Sequence, residues 1–379
     1  MSTITTFQSV LKGLPRAVFN RCVERHRADK GCKRFHHWDH LLAMVYAQLS
    51  GASSLRTLEL GFNSHGMHHR RLRTGAIHRS TLSDANERRS VAVFNDTAAW
   101  LMGKVSRRLR REVKPLMSLL DSTSITLKGR GFDSWTLDNR NRNTQGIKLH
   151  VLLDAASHAP LWHEFSAPNV NDVTQAWQVP LQRDALYVFD KGYCDYNWWA
   201  QIDAVGARFV TRFKDNAGVK SVEDLPIPGE AKGLVLRDEM VRLKYTHLGK
   251  RRLNRYDKLL RRVMIDRPDK DTPLILVTND LDCSALEIGQ RYKERWQIEL
   301  LFKWLKQHLK IKAFLGRSRN AVQIQIVTAL ISYLLVTLYK QTHRIEQTLW
   351  HCLGLITATL FETPVTDTGP PGTRPRRTR

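Results

Sequence analysis

The spacing of apolar positions changes twice along the chain, separating a helical first third, a strand-rich middle and a helical end. Five stretches carry apolar residues at helical spacing: Phe7 to Leu11, Val18 to Arg27, Trp38 to Leu49, Leu55 to Leu60 and about Leu82 to Arg111. After Pro115 the period shortens. LMSLLDSTSITL, GIKLHVLLD and PLWHEFSA predict three strands, the first two separated by a Gly/Asn/Arg-rich turn region. ALYVFDKGY is a short apolar strand ending on Asp190, YNWWAQIDAVG a helix and ARFVTRF another strand. Three strands followed by strand, helix, strand imply a mixed sheet with helices packed on it. Over residues 214–284, GLVLRDEMVRL, KLLRRVMIDR and PLILVTN are strand-like and joined by charged turns, so a β-rich insertion is expected. A helix follows over Tyr292 to Lys310, then two apolar ones over Asn320 to Lys340 and Ile345 to Phe361. The expected fold class is α+β. Its divisions are 1–111 (helical), 112–213 (first part of the core), 214–284 (insertion), 285–361 (second part of the core) and 362–379, a Pro/Gly-rich basic tail expected to be disordered.

A chain of 379 residues, 42% hydrophobic and 25% charged, is that of a folded globular protein. Its formal charge of +24 exceeds what solubility requires and points to a polyanionic partner, nucleic acid first. A membrane partner is not expected: there is no signal-peptide pattern, and the apolar tract Val327 to Leu338 is too short to span a bilayer and predicts a buried helix. Residues 1–111 hold 20 Lys and Arg against 7 Asp and Glu, about half the excess charge. Within them SSLRTLELGF, a connector containing Gly66 and Gly75, and STLSDANERR look like a helix, a turn region and a second helix capped by Ser80 or Ser83. A DNA reader of helix-turn-helix type would grip phosphates with His68, His69, Arg70, Arg71, Arg73 and Arg79. The connector exceeds the usual three or four residues, so a helical domain with a merely basic surface is the alternative. Five scattered cysteines suit a reducing compartment, and Cys22, Cys32, His36 and His37 match no common zinc spacing.

The helix YKERWQIELLFKWLKQHLK concentrates the chemistry. At 100° per residue Tyr292, Arg295, Glu299 and Lys306 fall within an arc of roughly 60°, with Lys303 and Lys310 on or beside it. Ile298, Leu301, Phe302, Leu305 and Leu309 form the apolar face. Taken alone, the stripe is a solvated face with an ordinary Arg295 to Glu299 pair. Two further carboxylates stand out by position: Asp121 within the first strand and Asp190 at the end of a later one. Phosphodiester chemistry uses two divalent ions about 4 Å apart, and Mg²⁺ is held by few carboxylates plus substrate oxygens. Spacing does not single these acids out, since Asp154, Asp172, Asp184 and Asp195 compete in the same region.

Tyr292, Arg295, Glu299 and Lys306 match Y-x(2)-R-x(3)-E-x(6)-K, and the chain here resembles the insertion-sequence-four family of bacterial DDE transposases. DSTSI at Asp121 and DKGY at Asp190 resemble that family's two acidic motifs, and FNRCVERHRADKG through STLSDANERR resembles the helical N-terminal domain of one branch. The resemblance implies a ribonuclease H-like core interrupted by a β-rich insertion between the second Asp and the Glu. It implies Asp121, Asp190 and Glu299 as ligands of two Mg²⁺ ions, with Mn²⁺ as a substitute and no small-molecule cofactor. Tyr292, Arg295 and Lys306 would contact phosphates, aided by Lys303 and Lys310. Trp296, about 40° from Tyr292 on the wheel, would stack on an unpaired base or else pack against the insertion. The implied partners are double-stranded DNA, at transposon ends and target, and a second copy in a DNA-bound homodimer, in a cytoplasmic, nucleoid-associated setting. The implied activity is cut-and-paste transposition, which the family commonly runs through a DNA hairpin. Alternatives are another metal-dependent nuclease on the same core and a non-catalytic DNA-binding descendant.

Overall fold

The computed structural model describes residues 4–109, 116–141, 143–213, 217–245, 247–248, 252–268, 270–308 and 314–362. Lys310, Arg110, Arg111 and the tail from residue 363 lie outside them. The chain forms two compact units, residues 1–105 with 304–379 and residues 106–303.

The first unit begins with α1 (Thr6–Leu11), α2 (Arg16–Arg25), α3 (His37–Ser50), α4 (Leu55–Ser64), α5 (His69–Leu72), α6 (Arg79–Arg88) and α7 (Ala92–Leu109). The single helix expected over Leu82 to Arg111 is therefore two. Arg89 is extended, and the Ser90 hydroxyl accepts from the Ala92 N–H at 3.2 Å, a local bond that starts a new helix where apolar spacing alone signals continuity. Ser54 caps α4 reciprocally with Thr57. Neither Ser80 nor Ser83 caps α6, since both lie inside it. The Arg79 N–H instead donates to the Glu59 carboxylate at 3.1 Å, which sets a negative charge from α4 at the positive end of α6. Asn63 completes the grip, donating to the Ile77 carbonyl at 2.8 Å and accepting from its N–H at 2.9 Å.

The second unit is built on a sheet. Its elements are β1 (Met117–Thr126), α8 (Asp133–Thr136), β2 (Gly146–Asp154), β3 (Pro160–Ser166), α9 (Asp172–Ala176), β4 (Leu186–Phe189), α10 (Tyr196–Ala204) and β5 (Arg208–Arg212). They continue with β6 (Val219–Asp224), β7 (Val235–Leu243), the short pair β8 (His247–Leu248) and β9 (Arg252–Leu253), β10 (Leu260–Ile265), β11 (Leu274–Thr278), α11 (Ala285–Lys293) and α12 (Trp296–His308). Among the described residues one sheet runs in the order β3-β2-β1-β4-β5-β11-β10-β7-β6. β1, β2 and β3 are antiparallel neighbours, whereas β4 and β5 run parallel to β1. That order and polarity is the ribonuclease H-like core. The strands of 214–284 continue the same sheet, β11 pairing antiparallel with β5. At Gly146, where β2 begins, φ is +153° and a Cβ would meet the Ile125 carbonyl oxygen at 2.0 Å, so only glycine fits.

Phe189, Trp198, Trp199 and Phe209 fill the space between the sheet and α10, the rings of Trp199 and Phe209 lying 4.8 Å apart. Each aromatic of this kind removes roughly 150–250 Å² from water. Asp195 caps α10, accepting from the N–H groups of Asn197 and Trp198 at 2.9 and 3.0 Å.

The helix expected over Tyr292 to Lys310 is broken. α11 ends at Lys293 and α12 begins at Trp296, with tight i→i−3 bonds from Arg295 to Tyr292, Gln297 to Glu294 and Ile298 to Arg295. A wheel drawn at constant 100° does not hold across this turn.

The first unit is completed by α13 (Arg319–Thr342) and α14 (Leu349–Ala358), capped by Ser318 and Thr348. α13 packs against α1, α3, α6 and α14. It is long and apolar enough to cross a membrane by length and composition, and 89% of its most apolar window is buried inside the fold.

Candidate active site

β1 and β4 are in parallel register with Leu120 opposite Phe189, so Asp121 and Asp190 are the next residues on neighbouring strands. The carboxyl ends of parallel strands are where open α/β sheets bind their ligands. Glu299 comes from the first turn of α12. Arg295 ties the acids together: Nη1 donates to Asp121 Oδ2 at 2.7 Å and Nη2 to Glu299 Oε1 at 2.7 Å. Its guanidinium also stands 5.7 Å from the Tyr292 ring centroid, and its Nε is buried with no hydrogen-bond partner among the described residues. Tyr292 donates to Asp190 Oδ1 at 3.2 Å, and Arg212 at the end of β5 brings Nη1 to 3.8 Å from the same oxygen.

Burial pushes the Asp121 carboxyl up to about 6, and the nearby negative charges of Asp190 and Glu299 push the same way. Arg295 and the Ser122 N–H, 2.7 Å from Oδ1, oppose the shift without cancelling it. The Tyr292 hydroxyl is pushed up to about 12, mainly by burial, so it is a donor at neutral pH. Among the described residues no three His, Cys, Asp or Glu side chains converge as a ready-made metal cage. Here the Arg295 guanidinium supplies the counter-charge to Asp121 and Glu299. The donor set still suits a hard divalent cation: three carboxylates from β1, the end of β4 and α12, with one of them short of neutralisation.

The competing acids have structural roles. Asp154 accepts from the Ser157 hydroxyl at 2.8 Å in the β2–β3 turn, Asp184 sits in a left-handed turn with φ +59°, and Asp195 caps α10 and pairs with Arg252. Asp172 is closer to the chemistry, accepting from Lys148 at 2.8 Å and from the Ser122 hydroxyl at 3.2 Å.

Other expected residues fall less uniformly. Tyr292 is buried against Asp190, not presented on an open stripe. Trp296 is 60% exposed, so it is not packed against the insertion strands. Lys303 is exposed and Lys306 half-buried further along α12. Arg70, Arg71, Arg73 and Arg79 are exposed on α5, at its end and at the start of α6. His69 is not a surface ligand, since it is buried, stacked on Phe62, with Nε2 3.1 Å from the Phe62 carbonyl. Arg212 escaped the sequence pattern. Its only signal was its place at the end of a strand of the core.

A family model described as a transposase DDE domain matches residues 114–335, more than half of the chain. The chain belongs to the DDE transposases. It is thus an enzyme acting on DNA, and its motifs agree with the insertion-sequence-four type. Residues 2–73 of this transposase match a second model, described as a domain of unknown function (DUF4372). A protein of Sinorhizobium fredii, named as transposase y4zB, is 39% identical over 74% of this chain and 77% of its own length. A transposase named for insertion sequence IS5377 of Geobacillus stearothermophilus is 28% identical, covering 71% and 69%. One named for IS4SA of Synechocystis is 26% identical, covering 70% and 73%. Among solved structures, a piggyBac transposase synaptic complex with hairpin DNA aligns with a TM-score of 0.46 and 11% identity, over 94% of this chain and 80% of that one.

Proposed function

We propose that this DDE transposase binds the terminal inverted repeats of an insertion sequence, cleaves DNA at the element's end and joins the freed 3′-hydroxyl to target DNA. The observation that supports the reading is that Arg295 bridges Asp121 and Glu299 while Tyr292 and Arg212 flank Asp190 on the neighbouring strand end. Asp121, Asp190 and Glu299 would hold two Mg²⁺ ions, for which Mn²⁺ can substitute. When bound, the ions would activate the attacking oxygen and stabilise the leaving one. Arg295 exchanges its carboxylate partners for a phosphate of the bound end, the exchange its planar fork and spare Nε proton suit. Lys306, Lys303 and Lys310 act as point charges on the same backbone, and Tyr292 holds Asp190 in place by its hydroxyl. Trp296, exposed beside Arg295, stacks on a base displaced near the cut. A hairpin at the end of the excised element is compatible with this arrangement.

Residues 1–111 would recognise the repeat. Arg70, Arg71, Arg73 and Arg79 border a segment that Glu59 and Asn63 hold firmly to α4, and this supports phosphate contacts from an ordered surface. Paired ends call for a homodimer in the DNA complex. The test is cleavage of end-bearing DNA with Mg²⁺ by Asp121→Ala and Glu299→Ala. Loss of cleavage with repeat binding retained is expected, and undiminished cleavage by the purified variants would end the proposal.

A further inference from the structure

The second acidic motif, DKGY, carries a residue that the chemistry leaves unused: Tyr193. Its side chain is 1% exposed, and its own N–H donates to the Asp190 carbonyl at 3.0 Å, closing the turn that bears the carboxylate. The Tyr193 hydroxyl lies 2.9 Å from Nδ1 of His150, a fully buried residue of β2. His150 Nε2 lies 2.8 Å from the Ser166 hydroxyl of β3, which in turn donates to the Ala167 carbonyl at 3.3 Å.

The directions in this chain follow from its far end. A carbonyl only accepts, so the Ser166 proton points at Ala167 and its oxygen accepts from the Nε2–H of His150. Burial lowers the imidazole to about 4, leaving it neutral near pH 7, with a single ring proton. Nδ1 is therefore bare and accepts the proton of Tyr193. The Tyr193 hydroxyl is thus seated on His150, with Ser122 and Asp172 beside the pair: Ser122 donates to Asp172 at 3.2 Å, and Asp172 Oδ1 lies 4.0 Å from His150 Nδ1. Ser122, which follows Asp121, is paired with His150 across β1 and β2, so the Tyr193–His150 contact ties the Asp190 turn to the strand beside Asp121.

We infer that Tyr193, His150 and Ser166 form a positioning relay that fixes the turn carrying Asp190 against β2, and with it the place of the Asp190 carboxylate beside Asp121. The inference rests on the proposal that Asp190 is a metal ligand. Outer residues that orient ligands typically change metal affinity by about 10- to 100-fold. Tyr193→Phe keeps the ring and removes the proton donor, whereas His150→Asn keeps an acceptor and His150→Leu removes it.

The test is Mn²⁺ binding by the full-length protein, read from the spin-resonance signal of the free ion, beside thermal unfolding of each variant and an Asp190→Ala control. Tyr193→Phe is expected to weaken Mn²⁺ binding about tenfold with an unfolding midpoint near that of the parent. His150→Asn is expected to retain more affinity than His150→Leu. Wild-type affinity in Tyr193→Phe, with binding lost in Asp190→Ala, overturns the relay alone. Unchanged binding in Asp190→Ala overturns the ligand reading and the relay with it. Should Tyr193→Phe fail to fold, Ser166→Ala releases the far end of the relay and is held to the same outcomes.

Discussion

Replacing Asp121 by Asn should make the protein more stable while destroying its activity. The carboxyl has an ordinary value of 3.8 and is held at about 6 in the fold, chiefly by burial and then by Asp190 and Glu299. A gap of about two units corresponds to about 3 kcal/mol of differential stability at about 1.4 kcal/mol per unit. The sign follows from the raised folded value. Below 3.8 the group is protonated in both states and has no effect; as pH rises through 4 to 6 the unfolded chain ionises first, and above 6 the full destabilisation is present. Asn is nearly isosteric and can still accept from Arg295, whose charge would then face Glu299 alone. The expected net gain is about 1–3 kcal/mol at pH 8, vanishing near pH 4. Urea unfolding of the parent and Asp121→Asn at both pH values, with EDTA present, measures it. A variant less stable than the parent at pH 8, or a gain that does not shrink on acidification, would refute the electrostatic account. A strained acidic site of this kind is an expected cost of function.

Arg295→Ala removes the cation that bridges Asp121 and Glu299, so the DNA-free protein should bind Mg²⁺ several-fold more tightly by calorimetry while losing cleavage of end DNA; weaker Mg²⁺ binding would contradict the exchange of partners. Trp296→Ala, at a site 60% exposed, should leave stability within about 0.5 kcal/mol but reduce processing of the DNA end, and a large drop in the unfolding midpoint would assign the ring to packing instead. Glu59→Ala strips the cap from α6 and should cost about 1 kcal/mol and weaken binding to the terminal repeat, checked by denaturation and gel shift.

The strands of the core were legible because each is a short apolar run bounded by turn residues, and GIKLHVLLD coincides with β2 from end to end. β6, VKSVED, was not: its exposed, charged positions at a sheet edge give no apolar signal, only a partner in β7. Asp121, Asp190 and Glu299 were legible through motifs. Asp172 could not be told from them by chain position; in the fold it accepts from Lys148 and the Ser122 hydroxyl, whereas Asp121 and Glu299 share Arg295. Arg212 and His150 were hidden because β-sheet neighbours are set by topology, and nothing local links residue 150 to residue 193 or residue 212 to residue 190. Ser90 and Glu59 explain the misplaced helix boundaries: one cap was masked by apolar periodicity, and the other comes from a different helix.

The break between α11 and α12 has a consequence for charge. In an uninterrupted helix from Tyr292 to Lys310, Glu299 would lie near the middle, where every backbone N–H is already bonded. Because α12 begins at Trp296, Glu299 falls in its first turn, where the helix dipole favours a negative charge by about 0.3–1 kcal/mol. Arg295, in the turn itself, is free of helical geometry and reaches both Asp121 and Glu299. The turn thus does two things that a straight stripe of the same residues would not. It steadies one carboxylate by a helix end, and it swings a guanidinium over the other. Asp121, buried on β1 with no helix end to favour its charge, takes the upward shift. Burial and the neighbouring charges thus place an energetic cost on Asp121 that a divalent cation bound beside it would relieve.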